Sequence, residues 1–519
     1  MQMSFEDFLE ELVAFINEVR GETRPEVYQA HADRIYEYYL VHQQEDVIGT
    51  LKQVLASDVE LLSLVLFVIQ FITEDPCCIR ELQELVQRED IDIFAALDIV
   101  FQLSNISFRD HKIHLSYTDT RTVQHHLLGR IETELMETSC FLPYAQRDKK
   151  RIIIATDTLL EVVHAPSRIV YRMADYLHTL GYEVMLLVNV RWQPMERSEQ
   201  YCLAPYSPNY NKLLDQYTSI EYEGNTYPVY QFYFSPNTMD QQKKLLDFIY
   251  QWKPLCVWYI GGSSPVQDIY RKVVTQISMG CTDGYACSEA PVLISYMQSG
   301  SDDVKESITY AKSHGQRLIN IKFGSKFDRE NWSLTRKELG MPEDSFALCV
   351  VGNRLDGEMS VEFIDMLQEL VESSDLYHIV LIGQCKPDIL CDMDTGRYSL
   401  LGFRKDLIDA IAMTDLFVNP PRLGGGGGAV RAFAVGVPVV TYPDCDVSNV
   451  TGEDFCCQDL QEMKTLIQRY ASDKNYYQSQ QEKVRTIYKE REKASDSVIE
   501  EVRKMLEQIN DWLECGEIV

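Results

Sequence analysis

Residues 415–442 read DLFVNPPRLGGGGGAVRAFAVGVPVVTY. A short apolar run, Leu416 to Val418, ends at Asn419-Pro420, five glycines follow from Gly424 to Gly428, and an alanine-rich segment from about Ala429 to Val435 stops at Gly436 before a second apolar run, Val439 to Thr441. The order predicts strand, glycine turn, helix, strand. Glycines let backbone N–H groups approach an anion without interference from Cβ, and a helix amino terminus adds about half a positive charge and unpaired donors. A flexible linker shares the glycine composition, but a linker does not come with a strand before it and a helix after it.

The same alternation extends upstream. After Phe323 the sequence predicts a helix ending at Arg336 to Leu339, strands at Ala347–Val351, Ile379–Ile382 and Ser399–Leu401, and a helix at Val361–Val371. Further back, a charged turn at Arg147–Lys150 leads into Ile152–Ala155, a helical stretch Ile169–Leu180, then Gly181 and Val184–Val188. Strand, helix, strand implies a right-handed unit with parallel strands, which places the loop Thr156–Arg168 at the carboxyl edge where open sheets bind ligands. Val229–Phe234, Cys256–Ile260 and Val292–Ser295 complete the strand candidates.

Ahead of this region, residues 1 to about 147 read as helix upon helix. Ser4 and Asp7 form a capping pair, and Phe5, Phe8, Leu9, Leu12, Phe15, Ile16 and Val19 fall on one helical face. No fixed-interval repeat is present, so a plain helical bundle and a docking module for an acceptor or partner both remain open. After Leu460 helix returns, with amphipathic stretches at Val484–Glu490 and Val498–Trp512. The expected fold class is therefore α/β, with two Rossmann-like parallel-sheet domains (148–325 and 326–470) preceded by an all-α N-terminal domain (1–147) and followed by C-terminal helices (471–519).

Composition narrows the function classes. A chain of 519 residues, 45% hydrophobic and 25% charged, is an ordinary globular protein of about three domains. With 49 Lys+Arg against 79 Asp+Glu its formal net charge is −30, a field that repels nucleic-acid backbones and anionic lipid except where cations are locally concentrated. No secretory n-region opens the sequence, and the longest apolar run, Leu61–Ile72, contains Ser63 and Gln70 and is too short for a transmembrane segment. The 14 cysteines include the neighbours Cys77/Cys78 and Cys456/Cys457 and form no CxxC, which reads as reduced thiols in a cytoplasmic protein without a metal site.

The segment Asn419–Thr441 resembles the nucleotide-sugar half of GT-B glycosyltransferases, whose usual form is a proline-ended strand, a glycine turn and an EA-x-A-x-G-x-PVV helix and strand. Matches in order upstream are Arg336-Lys337-Glu338-Leu339-Gly340, Val350-Val351-Gly352-Asn353-Arg354, Leu381-Ile382-Gly383 and Leu401-Gly402-Phe403. The likeness runs over about residues 150–460. It implies that Gly426, Gly427, Gly428 and the amides that follow, from Ala429, hold the pyrophosphate of a nucleotide-sugar donor, a UDP-sugar, with Arg354 as a phosphate-facing cation. Gly402 and Phe403 would border the base, and Arg404 and Lys405 would reach phosphate or remain solvated. Such groups stabilise a leaving nucleoside diphosphate without a bound metal, so no cofactor beyond the donor is implied. In the retaining branch a carboxylate pair brackets the glycine turn, whereas Leu423 and Arg431 stand at these positions here. Neither accepts a ribose hydrogen bond, so another group reads the ribose, Arg431 joins the phosphate contacts, or donor binding is lost.

In the first α/β domain the cleft loop carries His164-Ala165-Pro166-Ser167-Arg168, and His164 suits a base that accepts an acceptor-hydroxyl proton, with Asp157 as the competing base. Gly261, Gly262 and Ser263, after a strand, and Glu289, within Cys281–Pro291, are acceptor-side candidates. The resemblance implies a metal-independent glycosyltransferase of hexosyltransferase type acting on a protein or glycan acceptor, with the helical domain free to bind a partner protein. A non-catalytic GT-B-like subunit is the alternative, and a GT-B-fold epimerase or phosphorylase is a third.

Overall fold

The computed structural model describes residues 3–20, 25–42, 44–109, 115–135, 140–162, 164–190, 211–215, 218–234, 238–297, 301–324, 326, 327, 329, 331, 333–422, 424–443 and 445–518. The N-terminal region is helical: α1 (Phe5–Arg20), α2 (Pro25–Val41), α3 (Gln44–Val54), α4 (Val59–Thr73), α5 (Pro76–Val86), α6 (Ile93–Arg109) and α7 (Tyr117–Glu134). The capping pair read at Ser4 and Asp7 is present: the Asp7 N–H donates to Ser4 Oγ at 3.1 Å and the Ser4 N–H to Asp7 Oδ2 at 3.0 Å. The apolar run Leu61–Ile72 lies in α4, where Leu62 to Gln70 are buried. No helix among the described residues is long and apolar enough to cross a membrane, and no disulfide joins the described cysteines.

The first sheet contains β1 (Arg151–Thr156), β2 (Glu183–Val190), β3 (Ser219–Tyr222), β4 (Asn225–Tyr233), β5 (Cys256–Gly261), β6 (Gln276–Gly280), β7 (Val292–Ser295) and β8 (Arg317–Asn320), in the order β3-β4-β2-β1-β5-β6-β7-β8. Only the β3–β4 pair is antiparallel. Helices α8 (Ala165–Thr179), α9 (Met239–Trp252) and α10 (Asp302–Ser313) belong to this unit. Side chains alternate between the faces with the period of two that a strand imposes. Ile153, Ala155, Leu187 and Val257 share one apolar cluster with α9 and the N-terminal helices, from Phe8 to Leu142. Ile152, Ile154, Leu186 and Trp258 face the other way, onto α8. The helical region therefore closes one face of the sheet, whose central strands β1, β2, β5, β6 and β7 are buried and parallel.

The second sheet contains β9 (Phe346–Val351), β10 (Tyr377–Ile382), β11 (Tyr398–Leu400), β12 (Leu416–Val418) and β13 (Val439–Val440), all parallel, in the order β11-β10-β9-β12-β13. Its helices are α11 (Leu355–Glu358), α12 (Val361–Ser373), α13 (Leu407–Ala412), α14 (Gly426–Ala434) and α15 (Asp446–Thr451). The helix expected to end at Arg336–Leu339 is only a 3-10 turn, Lys337–Leu339, closed by Gly340 at φ +70°. Strand order reverses at β1 in one sheet and at β9 in the other, and the carboxyl edge of such a switch point is where open α/β sheets take ligands.

The chain finishes with α16 (Leu460–Ser472) and α17 (Lys474–Glu514). The two amphipathic stretches read in the sequence are parts of this single 41-residue helix, about 60 Å long at 1.5 Å per residue. Val484 and Tyr488 sit in the core of the second sheet, while Val498, Val502, Leu506, Ile509 and Leu513 sit in the core of the first. The segment joining the sheets runs alongside: the Phe327 N–H donates to Tyr488 Oη at 2.8 Å, and a Cβ on Gly324 would overlap the backbone of Ser495 and Arg491. Gly324→Ala therefore forces backbone apart, and a loss of about 1–3 kcal/mol in urea unfolding is expected. A change below about 0.5 kcal/mol, the size of a neutral surface substitution, would show that the linker is not held against α17.

Candidate active site

The glycine turn is built on a buried arginine. Arg422 Nε donates to Asn419 Oδ1 at 2.9 Å, its Nη2 donates to the Val351 carbonyl at 2.6 Å, and its Nη1 pairs with Glu358 Oε2. These bonds fold the chain after β12 back onto the end of β9. Gly425 then adopts φ +110°, and a Cβ there would stand 2.7 Å from Asn419 Oδ1, so glycine is required for both conformation and space. A Cβ on Gly428 would stand 3.0 Å from the Phe417 ring. Leu423 lies outside the described residues.

Helix α14 begins at Gly426, three residues before the Ala429 start read from the sequence, and the amides differ from expectation accordingly. The N–H groups of Gly428 and Ala429 both donate to the Gly425 carbonyl, at 3.0 and 3.2 Å, and Ala429 is fully buried. They are consumed inside the turn because the helical pattern has already started there. Within α14, the N–H groups of Gly426 and of the exposed Gly427 have no partner among the described residues.

Cations gather around this helix start. Arg431 Nη1 donates to the Gly427 carbonyl at 2.9 Å, and its guanidinium lies 4.4 Å over the Phe327 ring. Burial, reinforced by the charge of Arg168, pulls the Arg431 pKa down to about 10. Arg168, on the first turn of α8, is likewise lowered by burial and by Arg172. Among the described residues no carboxylate pairs with either one. Two half-buried guanidinium groups that repel each other across the interdomain cleft are an arrangement that an anion relieves.

His164 occupies the N-cap of α8, with Nδ1 2.8 Å from Ser167 Oγ. Its pKa is lowered by burial first, then by Arg168 and by Arg354 of the second domain. Arg354 precedes α11, is half exposed, and pairs with Glu358 Oε1 at 3.0 Å. Through Arg168 the structure places His164 and Arg354 in the neighbourhood of Arg431 and the glycine turn.

The other candidates separate. Gly402 has φ +60° and its carbonyl accepts from the Gly383 N–H at 2.8 Å, while the Phe403 side chain beside it is 51% exposed. Arg404 forms a two-pronged pair with Asp406, at 2.8 and 2.6 Å, which raises its pKa, so that charge is already compensated; Lys405 is exposed. Asp157 follows β1 and packs on Gly261, where a Cβ would stand 2.9 Å from Asp157 Oδ1. Gly262 accepts from the Tyr259 hydroxyl, and Ser263 Oγ accepts from the Cys287 N–H at 3.0 Å. Glu289 is the correction: its carboxylate pairs with Arg121 at 3.0 Å and His125 at 3.1 Å, both on α7, so it docks the helical region and is not available as a base.

Three features escaped the sequence reading. Arg168 lay at the end of the quoted loop without a role, and only the approach of Arg431 gives it one. The Arg422–Glu358 pair joins residues 64 positions apart. Asp446, at the start of α15, packs against Gly426, whose Cβ would stand 2.9 Å from the Asp446 carbonyl oxygen; its position after the strand that follows the glycine helix was the available signal.

No family model matches the chain, and no curated protein sequence matches it. By structure the chain has the GT-B fold, two parallel-sheet domains facing a common cleft, with a helical region in front. A Thermobaculum terrenum O-GlcNAc transferase point mutant superposes with a TM-score of 0.53 and 12% identity, over 98% of this chain and 99% of that one. Also similar are Anabaena HepE in complex with UDP (TM-score 0.47, 14% identity, 68% of this chain and 100% of that one) and an E. coli trehalose-6-phosphate protein bound with UDP-2-fluoro glucose (0.44, 10%, 70% and 98%). At these identities the likeness bears on fold alone.

Arg422→Met removes the buried partner of Glu358 Oε2, leaving only the half-exposed Arg354 on Oε1, and strips Asn419 and the Val351 carbonyl of their donor; a loss of about 3–5 kcal/mol is expected in urea unfolding. Arg404→Met, which breaks a more exposed pair, should stay within about 1 kcal/mol. Equal losses would show that the glycine turn does not depend on Arg422.

Proposed function

We propose that the protein is a glycosyltransferase that binds a nucleoside-diphosphate sugar, a UDP-sugar in the first instance, and transfers the sugar to a protein or glycan acceptor. The observation that supports this reading best is that Arg431, bonded to the Gly427 carbonyl beside the unpartnered amides of Gly426 and Gly427, is approached by Arg168 with neither guanidinium paired to a carboxylate among the described residues. In a chain of net charge −30, a concentration of cations at a helix amino terminus fits a diphosphate better than any role in stability.

Under this reading the diphosphate lies between the starts of α8 and α14. As the bond from the anomeric carbon to the diphosphate breaks, negative charge grows on the leaving oxygen, and the Gly426 and Gly427 N–H groups with Arg168 and Arg431 stabilise it more than the bound donor. Arg431, at a position where the retaining branch carries a carboxylate, becomes a phosphate ligand in this scheme. Arg354 approaches from the end of β9, oriented by Glu358, and Phe403 offers an exposed ring at the edge where the base would lie. His164, whose pKa is lowered by burial first and then by Arg168 and Arg354, is in this scheme a hydrogen-bonding group for the donor rather than the base. Asp157, Gly261 and Gly262 line the first domain's edge on the acceptor side.

The arginine in place of a carboxylate also motivates a second reading, a non-catalytic subunit of the same fold. Calorimetry separates the two: an enzyme binds UDP, and a scaffold gives no heat with UDP or with GDP. If the first reading holds, Arg168→Ala and Arg431→Ala should each weaken UDP binding roughly 10- to 100-fold, the worth of a charged hydrogen bond. Arg354→Ala, already paired with Glu358, should cost less, and Lys405→Ala should leave affinity unchanged. UDP binding that ignored both Arg168 and Arg431 would remove the diphosphate from this cleft.

A further inference from the structure

Resting on the reading above, we propose that Asp446 is the group that takes the proton from the acceptor hydroxyl during transfer. Its place in the fold is the first support. Asp446 opens α15 in the loop after β13, on the carboxyl edge of the second sheet, and its main chain lies against the first glycine of α14: a Cβ on Gly426 would stand 2.9 Å from the Asp446 carbonyl oxygen and 3.1 Å from the Asp446 Cβ. The residue that bears the carboxylate is therefore next to the first of the two glycines assigned to the diphosphate. Across the cleft it faces the first domain, where Asp283 and Tyr296 both interact with its charge, and Tyr296 also senses Arg168.

Availability is the second support. Among the described residues no donor is bonded to the Asp446 carboxylate, while the competing groups are engaged. His164 bonds to Ser167 Oγ and stands between two guanidinium charges, which disfavour a protonated imidazole. Glu289 is paired with Arg121 and His125. Asp157 packs on Gly261 within the first domain.

Its environment suits a base. Burial and the like charge of Asp283 raise its pKa to about 6, against the opposing pull of Arg422. Such a carboxylate is ionised at neutral pH yet holds a proton more firmly than an ordinary aspartate, the balance that general-base catalysis favours. In the step, a lone pair on the acceptor oxygen forms the new bond to the anomeric carbon. The bond from that carbon to the diphosphate oxygen breaks with its electron pair staying on the diphosphate, and the acceptor proton passes to Asp446 and then to solvent.

The test uses the full chain, UDP calorimetry, and donor hydrolysis with water as acceptor across UDP-glucose, UDP-galactose and UDP-N-acetylglucosamine. Asp446→Asn should bind UDP within twofold of the parent and hydrolyse donor at least 100-fold more slowly. The parent rate should rise as pH climbs through about 6, because the carboxylate must lose its proton to act, and His164→Asn should keep that limb. Retained UDP affinity in Asp446→Asn serves as the fold control. The assignment is overturned if Asp446→Asn hydrolyses donor at the parent rate, if it loses UDP as Arg431→Ala does, or if the parent binds UDP and hydrolyses none of the donors. A parent that binds no nucleotide at all instead removes the reading of the previous subsection, a distinguishable failure.

Discussion

The buried guanidinium of Arg422 is the constraint from which the rest of the second domain's cleft edge follows. It is satisfied by a carboxylate, a main-chain carbonyl and a side-chain amide, on Glu358, Val351 and Asn419. Taking such a charge out of water is costly, and its return is geometry more than net stability. The three bonds set the path of the chain from β12 to α14, put Gly425 where only glycine fits, and so decide which amides stay unbonded. Glu358 has a second duty: its other oxygen holds Arg354 on the outer side. One carboxylate thereby fixes a structural arginine and a cleft arginine together.

The remainder of the architecture keeps two sheets in register around that edge. Helix α17 places Val484 and Tyr488 in one core and Val498 to Leu513 in the other, so neither sheet moves without straining a continuous helix or the linker packed on it. The helical region fastens from the opposite side, where α7 delivers the buried Arg121 to Glu289 and the Tyr117 hydroxyl to the Ala286 carbonyl at 3.0 Å. The loop that carries Asp283 into the cleft is thus bounded by contacts from a region that was readable in the sequence only as a bundle or a docking module. One face of that region packs on this chain's own first domain.

Sheet elements with strong apolar runs were legible because burial on both faces writes an unbroken hydrophobic segment: β1, β2, β5, β9, β10 and β12 lie where the pattern placed them. The strands Gln276–Gly280 and Arg317–Asn320 were not, since one mixes Gln, Ser and Gly into a buried position and the other is a polar edge. The long last helix read as two stretches because its buried face changes partner near residue 495, and the residues between face neither core. The site was legible to the extent that it is local. The glycine turn, His164 and Arg354 follow strand ends in short motifs, whereas Arg168 beside Arg431, or Glu358 beneath Arg422, exist only once distant segments meet. Glu289 illustrates the converse: an acid in a cleft loop has the same sequence signature whether it faces the cleft or the neighbouring helix.

The arginine at position 431 alters what a cleft of this shape can do. A carboxylate one turn into α14 would accept hydrogen bonds from neutral hydroxyls, whereas a guanidinium only donates and carries charge that must be balanced. Its bond to the Gly427 carbonyl keeps it beside the Gly427 amide, so donors and cation are presented to the same volume. Under the proposed function the exchange trades recognition of a sugar hydroxyl for added stabilisation of the departing diphosphate. Asp446 adjoins Gly426 and interacts with Asp283 and Tyr296 of the first domain, so under this reading it returns an acceptor of hydrogen bonds to the cleft. The cation on α14 and the carboxylate that opens α15 thus share the surroundings of Gly426, and the negative group is the one that interacts with the domain that would carry the acceptor.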